Sequence, residues 1–131
     1  MSRLAELRDT LFIGDRATSE VYNRVFVVSA FAGITNLLLE HKKSGEPGVY
    51  ALFANDDSNH KWQDALDRVA EAMKAAQSEI LTHKGDIQQA DLFVDERILG
   101  ARNCLIDLQR LCSYGHFRLP EHMGHIRELL S

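Results

Sequence analysis

Two stretches of this chain carry residue types that could hold or act on a small polar ligand. The first is Val27-Val28-Ser29-Ala30-Phe31-Ala32-Gly33-Ile34-Thr35-Asn36. Ser29 closes an apolar run, Gly33 allows close backbone approach, and Thr35 places a hydroxyl at the start of a helical pattern. Ligands of open α/β sheets bind beyond the carboxyl ends of strands. A helix start offers free N–H groups and partial positive charge to a carboxylate or phosphate. The same residues also suit an ordinary strand-to-helix turn with a Thr cap, and both readings stay open here. The second stretch is Cys112-Ser113-Tyr114-Gly115-His116-Phe117, in which His116 is a candidate ligand-binding or acid/base group. A lone His at a helix–helix corner is also commonly structural. His122 and His125 lie one helical turn apart and, with His116, imitate a metal set. They lack paired-Cys or HExxH spacing, so no metal site is expected. Lys42-Lys43 beside Glu40 and Glu46 reads as a solvated face. Neither a glycine-rich P-loop nor a G-x-G-x-x-G run is present, so no nucleotide-phosphate cradle is complete.

The elements that must position these residues are mostly helical. Leu4, Leu7, Leu11 and Phe12 predict a short helix over 3–13, capped by Ser2 and ended by Gly14-Asp15. Residues 24–30, Arg-Val-Phe-Val-Val-Ser-Ala, form the one convincing strand. It does not alternate, as expected for a strand buried on both faces. A helix is predicted from Thr35 to Lys42, then a turn at 44–48, then a short apolar segment, 49–54, that suits helix or strand. Trp62, Leu66, Val69, Met73, Ala76 and Ile80 make a heptad seam. His83-Lys84-Gly85 makes a tight link, and Asp86 with Gln89 resembles a capping box. Val94, Ile98, Ala101, Leu105, Leu108 and Cys112 make a second seam. Two such helices with a short link pack antiparallel, which predicts a long hairpin over about 60–112. Ser113-Tyr114-Gly115 ends it. Leu119-Pro120 opens a last helix with Ile126, Leu129 and Leu130 on its packing side.

The single strand lacks a partner. An unpaired strand leaves a row of unsatisfied backbone groups, and nothing else in the sequence supplies a parallel neighbour. The expectation is that 131 residues form a single partial domain, or that the strand pairs with its copy in another subunit. Composition sets further bounds. The apolar fraction is 45% and the charged fraction 26%, ordinary globular usage. The net charge of −4 argues against nucleic-acid and anionic-membrane partners, which need a basic face. No apolar run approaches the roughly 20 residues of a membrane span. Arg3, Glu6, Arg8 and Asp9 break any signal-peptide pattern, so a cytoplasmic location is expected. Cys104 and Cys112 on one helix stand about 12 Å apart along its axis, beyond the roughly 7 Å that a disulfide spans. Reduced, buried thiols are expected.

The segment from Val27 to Leu38 resembles the second strand and following loop of aspartate kinases, V-V-S-A-x-x-G-x-T-[DN]-x-L, at every fixed position. The helical region ending in Ser113-Tyr114-Gly115 looks like that family's helical insertion, which closes S-x-G-E. Leu38 to Tyr50 looks like the divergent branch associated with ectoine-producing bacteria. The resemblance implies an amino-acid kinase fold, a three-layer α/β sandwich, of which this chain holds a part. It also implies transfer of the γ-phosphoryl group of MgATP to the side-chain carboxylate of aspartate, which begins the route to lysine, threonine and methionine. Phosphoryl transfer depends on positioning and charge neutralisation more than covalent help. By the resemblance, Ser29, Gly33, Thr35 and His116 fall in the substrate region. The family's K-x-G-G-T-S motif and its nucleotide-binding half are absent, and the acidic residue that meets the substrate ammonium is His116 here. An imidazole does not replace a carboxylate in that role.

The expectation is an aspartate kinase segment that holds no cofactor and is inactive by itself, with weak or no aspartate binding and a homodimeric or higher state. A helical interaction module and a non-catalytic anion-binding domain are the competing readings.

Overall fold

The structure, a computed structural model, describes residues 6, 31, 33–55, 60–115 and 118–130. The predicted helix over 3–13 and the predicted strand over 24–30 lie outside the described residues, apart from Glu6, which is helical. Five helices follow in chain order: α1 (Ile34–Leu38), α2 (Val49–Ala54), α3 (Lys61–Ile80), α4 (Lys84–Ser113) and α5 (Leu119–Leu130). Among the described residues there is no sheet, and the extended pairing present is an isolated antiparallel bridge between Glu40 and Pro47. The described part is therefore mostly helical, as expected. The α/β sandwich implied by the resemblance is not formed by these residues.

The hairpin forms as its two seams require. Trp62, Leu66 and Val69 on α3 and Val94 and Leu105 on α4 are buried. Two ion pairs cross between the helices, Arg102 with Asp67 and Lys74 with Asp95. From the first to the second, α3 advances seven residues while α4 retreats seven. This is antiparallel register held over one heptad. The link lies two residues earlier than the sequence suggests. Leu81 to His83 is the connection, and α4 already starts at Lys84. Gly85 is helical and Asp86 lies in the first turn, where its charge suits the macrodipole. The expected Asp86–Gln89 capping box does not form, because His83 is the N-cap and no side chain caps it. At the other end, Gly115 adopts φ 79, its N–H donates to the Cys112 carbonyl at 3.1 Å, and the helix stops.

The base of the hairpin supplies the core. Trp62 stands edge-to-face on Phe53 of α2, with ring centroids 5.5 Å apart and an interplanar angle of 87°. Val49, Ile34, Ile126 and Leu130 complete the cluster, so α1, α2 and α5 all gather on this end. Edge-to-face pairs add roughly 0.5–1.5 kcal/mol beyond area burial. Residues 49–54 resolve as helix, since Val49 and Phe53, four apart, share one buried face. Leu129 corrects an expectation: it is 50% exposed, while Ile126 and Leu130 carry the packing face of α5. Cys104 is also exposed rather than buried, since it lies off the α4 seam. Cys112, on the seam, is half-buried, and both thiols are free.

Candidate functional site

The loop and short helix from Phe31 to Leu38 are held from below by a reversal of the chain. The His41 N–H donates to the Glu46 carbonyl at 2.9 Å, and the Gly45 N–H returns to the His41 carbonyl at 2.8 Å. Gly45 turns at φ 69, a region that favours glycine. The Gly48 N–H then donates to the Leu39 carbonyl at 3.1 Å. A Cβ at Gly48 would lie 2.5 Å from the Leu37 carbonyl oxygen and 2.8 Å from that of Leu39. The two backbones therefore meet only because residue 48 is glycine.

This reversal also ends α1 at Leu38, where the sequence predicted helix to Lys42. Leu39 leaves helical geometry at φ −105 and ψ −80, and Glu40 already pairs with Pro47. Thr35 is not the N-cap. Gly33 holds that position at φ 90, with no side-chain cap bond. The glycine is needed there for its backbone angle, since a Cβ would meet nothing within 4 Å. A five-residue helix has few aligned peptide dipoles to add to the free N–H groups at its start.

Two cavities flank α1 instead. The first has a volume of about 320 Å³ and lies between α1, the 40–47 turn and α3. Gly33, Asn36, His41, Glu46 and Arg68 line it, with Phe31, Ile34, Ala72 and Ala76 among its apolar walls. The Ser44 N–H and hydroxyl both approach His41 Nδ1, at 3.0 and 2.7 Å. An N–H that donates to Nδ1 requires that nitrogen bare, so the ring proton sits on Nε2. The second cavity, about 300 Å³, is lined by Thr35, Asn36, Leu39, Glu40, Lys42 and Arg127. Its charges are two cations and one carboxylate, and none of the three forms an ion pair among the described residues.

Of the four residues singled out from sequence, Gly33 and Thr35 are described and fall on opposite sides of α1, in different cavities. Ser29 and His116 lie outside the described residues. Asn36 touches both cavities, and its place in the motif was the signal for it. Lys42 reads from the sequence as part of a solvated face. Arg127 and Arg68 carried no sequence signal, because tertiary packing alone brings α5 and α3 to α1. His122 and His125, with ring centroids 6.2 Å apart, sit elsewhere, beside Cys104 between α4 and α5. Among the described residues no group of three or more His, Cys, Asp or Glu could hold a metal.

The chain is 47% identical, over all 131 residues, to aspartate kinase Ask_Ect of Stutzerimonas stutzeri (strain A1501). It is related to an aspartate kinase along its whole length. The resemblance read from Val27 to Leu38 thus extends across the chain, and the branch indicated by Leu38 to Tyr50 fits the relative found. The chain spans 28% of that aspartate kinase's length. No family model matches the chain, and no solved structure does. No helix among the described residues is long and apolar enough to cross a membrane.

Proposed function

We propose that this chain supplies the acidic-substrate side of an ATP-dependent aspartate kinase and forms a single partial domain of that enzyme. The observation that carries this reading is the charge set of the Thr35 cavity. Aspartate presents two carboxylates and one ammonium, and Lys42, Arg127 and Glu40 present the complementary two cations and one anion. Hydrogen bonds between such charged groups are worth about 1.5–3 kcal/mol each when formed. The Thr35 hydroxyl and the Asn36 amide add uncharged partners. Glu40 takes the ammonium-binding role for which His116 is unsuited. In this reading Ser29 belongs to the substrate region, and Gly33 serves it by setting the entry to α1 rather than by lining the Thr35 cavity.

MgATP is the second substrate in this reading, and the residues present do not fit its phosphates. The sequence has no glycine-rich phosphate loop, and the cations of the Thr35 cavity are opposed by Glu40. The nucleotide is therefore held by other parts of the enzyme. The 131-residue chain is expected to bind aspartate weakly and to release no ADP from ATP and aspartate. Robust ADP release would overturn that expectation. Thermal unfolding with and without aspartate tests the binding step, since a ligand at about 100 times its Kd stabilises by roughly 2.7 kcal/mol. Arg127→Ala should abolish the shift. A shift that survives in both Arg127→Ala and Lys42→Ala would remove the Thr35 cavity as the aspartate site.

A second reading, a helical assembly module without catalysis, is favoured by the outer face of α4, where Leu92, Phe93 and Leu99 are 69%, 54% and 56% exposed. In either reading we infer a cytoplasmic protein that associates with itself. Sizing chromatography at a range of concentrations checks the association.

A further inference from the structure

The cavity on the other side of α1 has a different chemistry. Its lining is largely apolar, with Phe31 and Ile34 on one wall and Ala72 and Ala76, four residues apart, on the α3 wall. Arg68 and Glu46 carry opposite charges and line the same cavity. They pair neither with each other nor with another charged group among the described residues. Two opposite charges that share a cavity without meeting leave a gap that a group with both charges can bridge. A volume of about 320 Å³ lies at the small end of ligand clefts. The small side chains of Ala72 and Ala76 leave space where a larger residue would pack against α1.

We propose that this cavity binds an apolar L-amino acid as its zwitterion, with Arg68 on the carboxylate, Glu46 on the ammonium and the apolar walls around the side chain. Aspartate is a poorer fit, because its second carboxylate would give up hydration against the apolar walls that suit an apolar side chain. The proposal rests on this cavity alone, so the Thr35 cavity can fail as an aspartate site without affecting it.

The test is calorimetric titration of the 131-residue chain with L-leucine. 4-Methylpentanoate serves as the analogue without the ammonium, and 3-methylbutylamine as the one without the carboxylate. Leucine should bind, and each analogue should bind roughly tenfold or more weakly, the loss expected for one charge-assisted contact. Arg68→Ala and Glu46→Gln should each weaken leucine by a similar factor and leave the aspartate response unchanged. Ala72→Leu should fill the cavity and remove leucine binding. Absence of leucine binding would overturn the proposal. Analogues as tight as leucine, or indifference to both charge substitutions, would do the same. If Arg68→Ala removed leucine and aspartate binding together, the two cavities would not be separate sites.

Discussion

At the base of the hairpin, Trp62, Leu66 and Val69 share a core with Leu105 and are covered by α1, α2 and α5. In the far half, Met73, Ala76 and Ile80 continue the same heptad spacing, yet all three remain half-buried. From residue 71 to residue 100, Val94 is the one fully buried side chain. The seam specifies which faces of two helices meet, and it does so equally well at both ends. Full burial needs a third and fourth element over the seam, and among the described residues those gather at the base. In the far half two helices shield each other on one side, and ion pairs such as Lys74–Asp95 flank the seam.

Substitutions should separate the two halves sharply. Trp62→Ala removes the largest core side chain and its edge-to-face partner. It should cost about 3–5 kcal/mol in chemical denaturation, and a loss below about 1 kcal/mol would contradict the core at the base. Gly48→Ala forces a Cβ into the Leu37 and Leu39 carbonyls. It should cost about 1–3 kcal/mol, the range for overpacking, and its unfolding midpoint checks the backbone contact directly. Native-state amide exchange should protect α3 residues 62–70 roughly tenfold or more over 73–80, since poorly covered segments open at lower free energy. Uniform protection would erase the distinction.

The ion pairs come next. Asp67→Ala should cost only about 0.2–1 kcal/mol and less in high salt, because the Asp67 carboxylate is exposed. The hydrogen bond that Lys74 donates to the Asp95 carboxylate raises the Lys74 pKa above its ordinary value of 10.5. A raised cationic group stabilises fully below that value, and its contribution disappears as pH climbs through the folded pKa. The stability gap between wild type and Asp95→Asn should therefore be constant near neutrality and close as the pH climbs past the ordinary lysine value of 10.5. Last, Leu99→Gln on the exposed face of α4 should change stability by no more than about 0.5 kcal/mol. A large loss would mean that this face is covered in solution.

Much of this architecture was legible in advance. The seams named the hairpin, Ser113-Tyr114-Gly115 marked its end, and Pro120 marked the start of α5, because these depend on local spacing and backbone chemistry. What failed depended on the partner that won a competition. Thr35 lost the cap to Gly33, whose positive φ sets the entry to α1. The residues after Leu38 gave up helix for pairing across the 40–47 turn. Leu129 fits a helical packing stripe by spacing, but α5 is too narrowly seated to bury it along with Ile126 and Leu130. In the candidate site, the motif residues Gly33, Thr35 and Asn36 could be picked out as a linear string. Arg68 and Arg127 could not, since each comes from a distant helix and looks like any surface arginine until the helices are packed.

The unbroken length of α4 has a mechanical consequence. It is one helix of 30 residues, gripped near Leu105, and toward Lys84 its partner among the described residues is α3. From Leu105 to that end is roughly 30 Å at 1.5 Å per residue. A tilt of about 5° at the grip would swing the tip by about 3 Å, whereas α1 beside the fulcrum would scarcely move. By geometry alone, a small angle at the base of the hairpin becomes a several-fold larger distance at its far end.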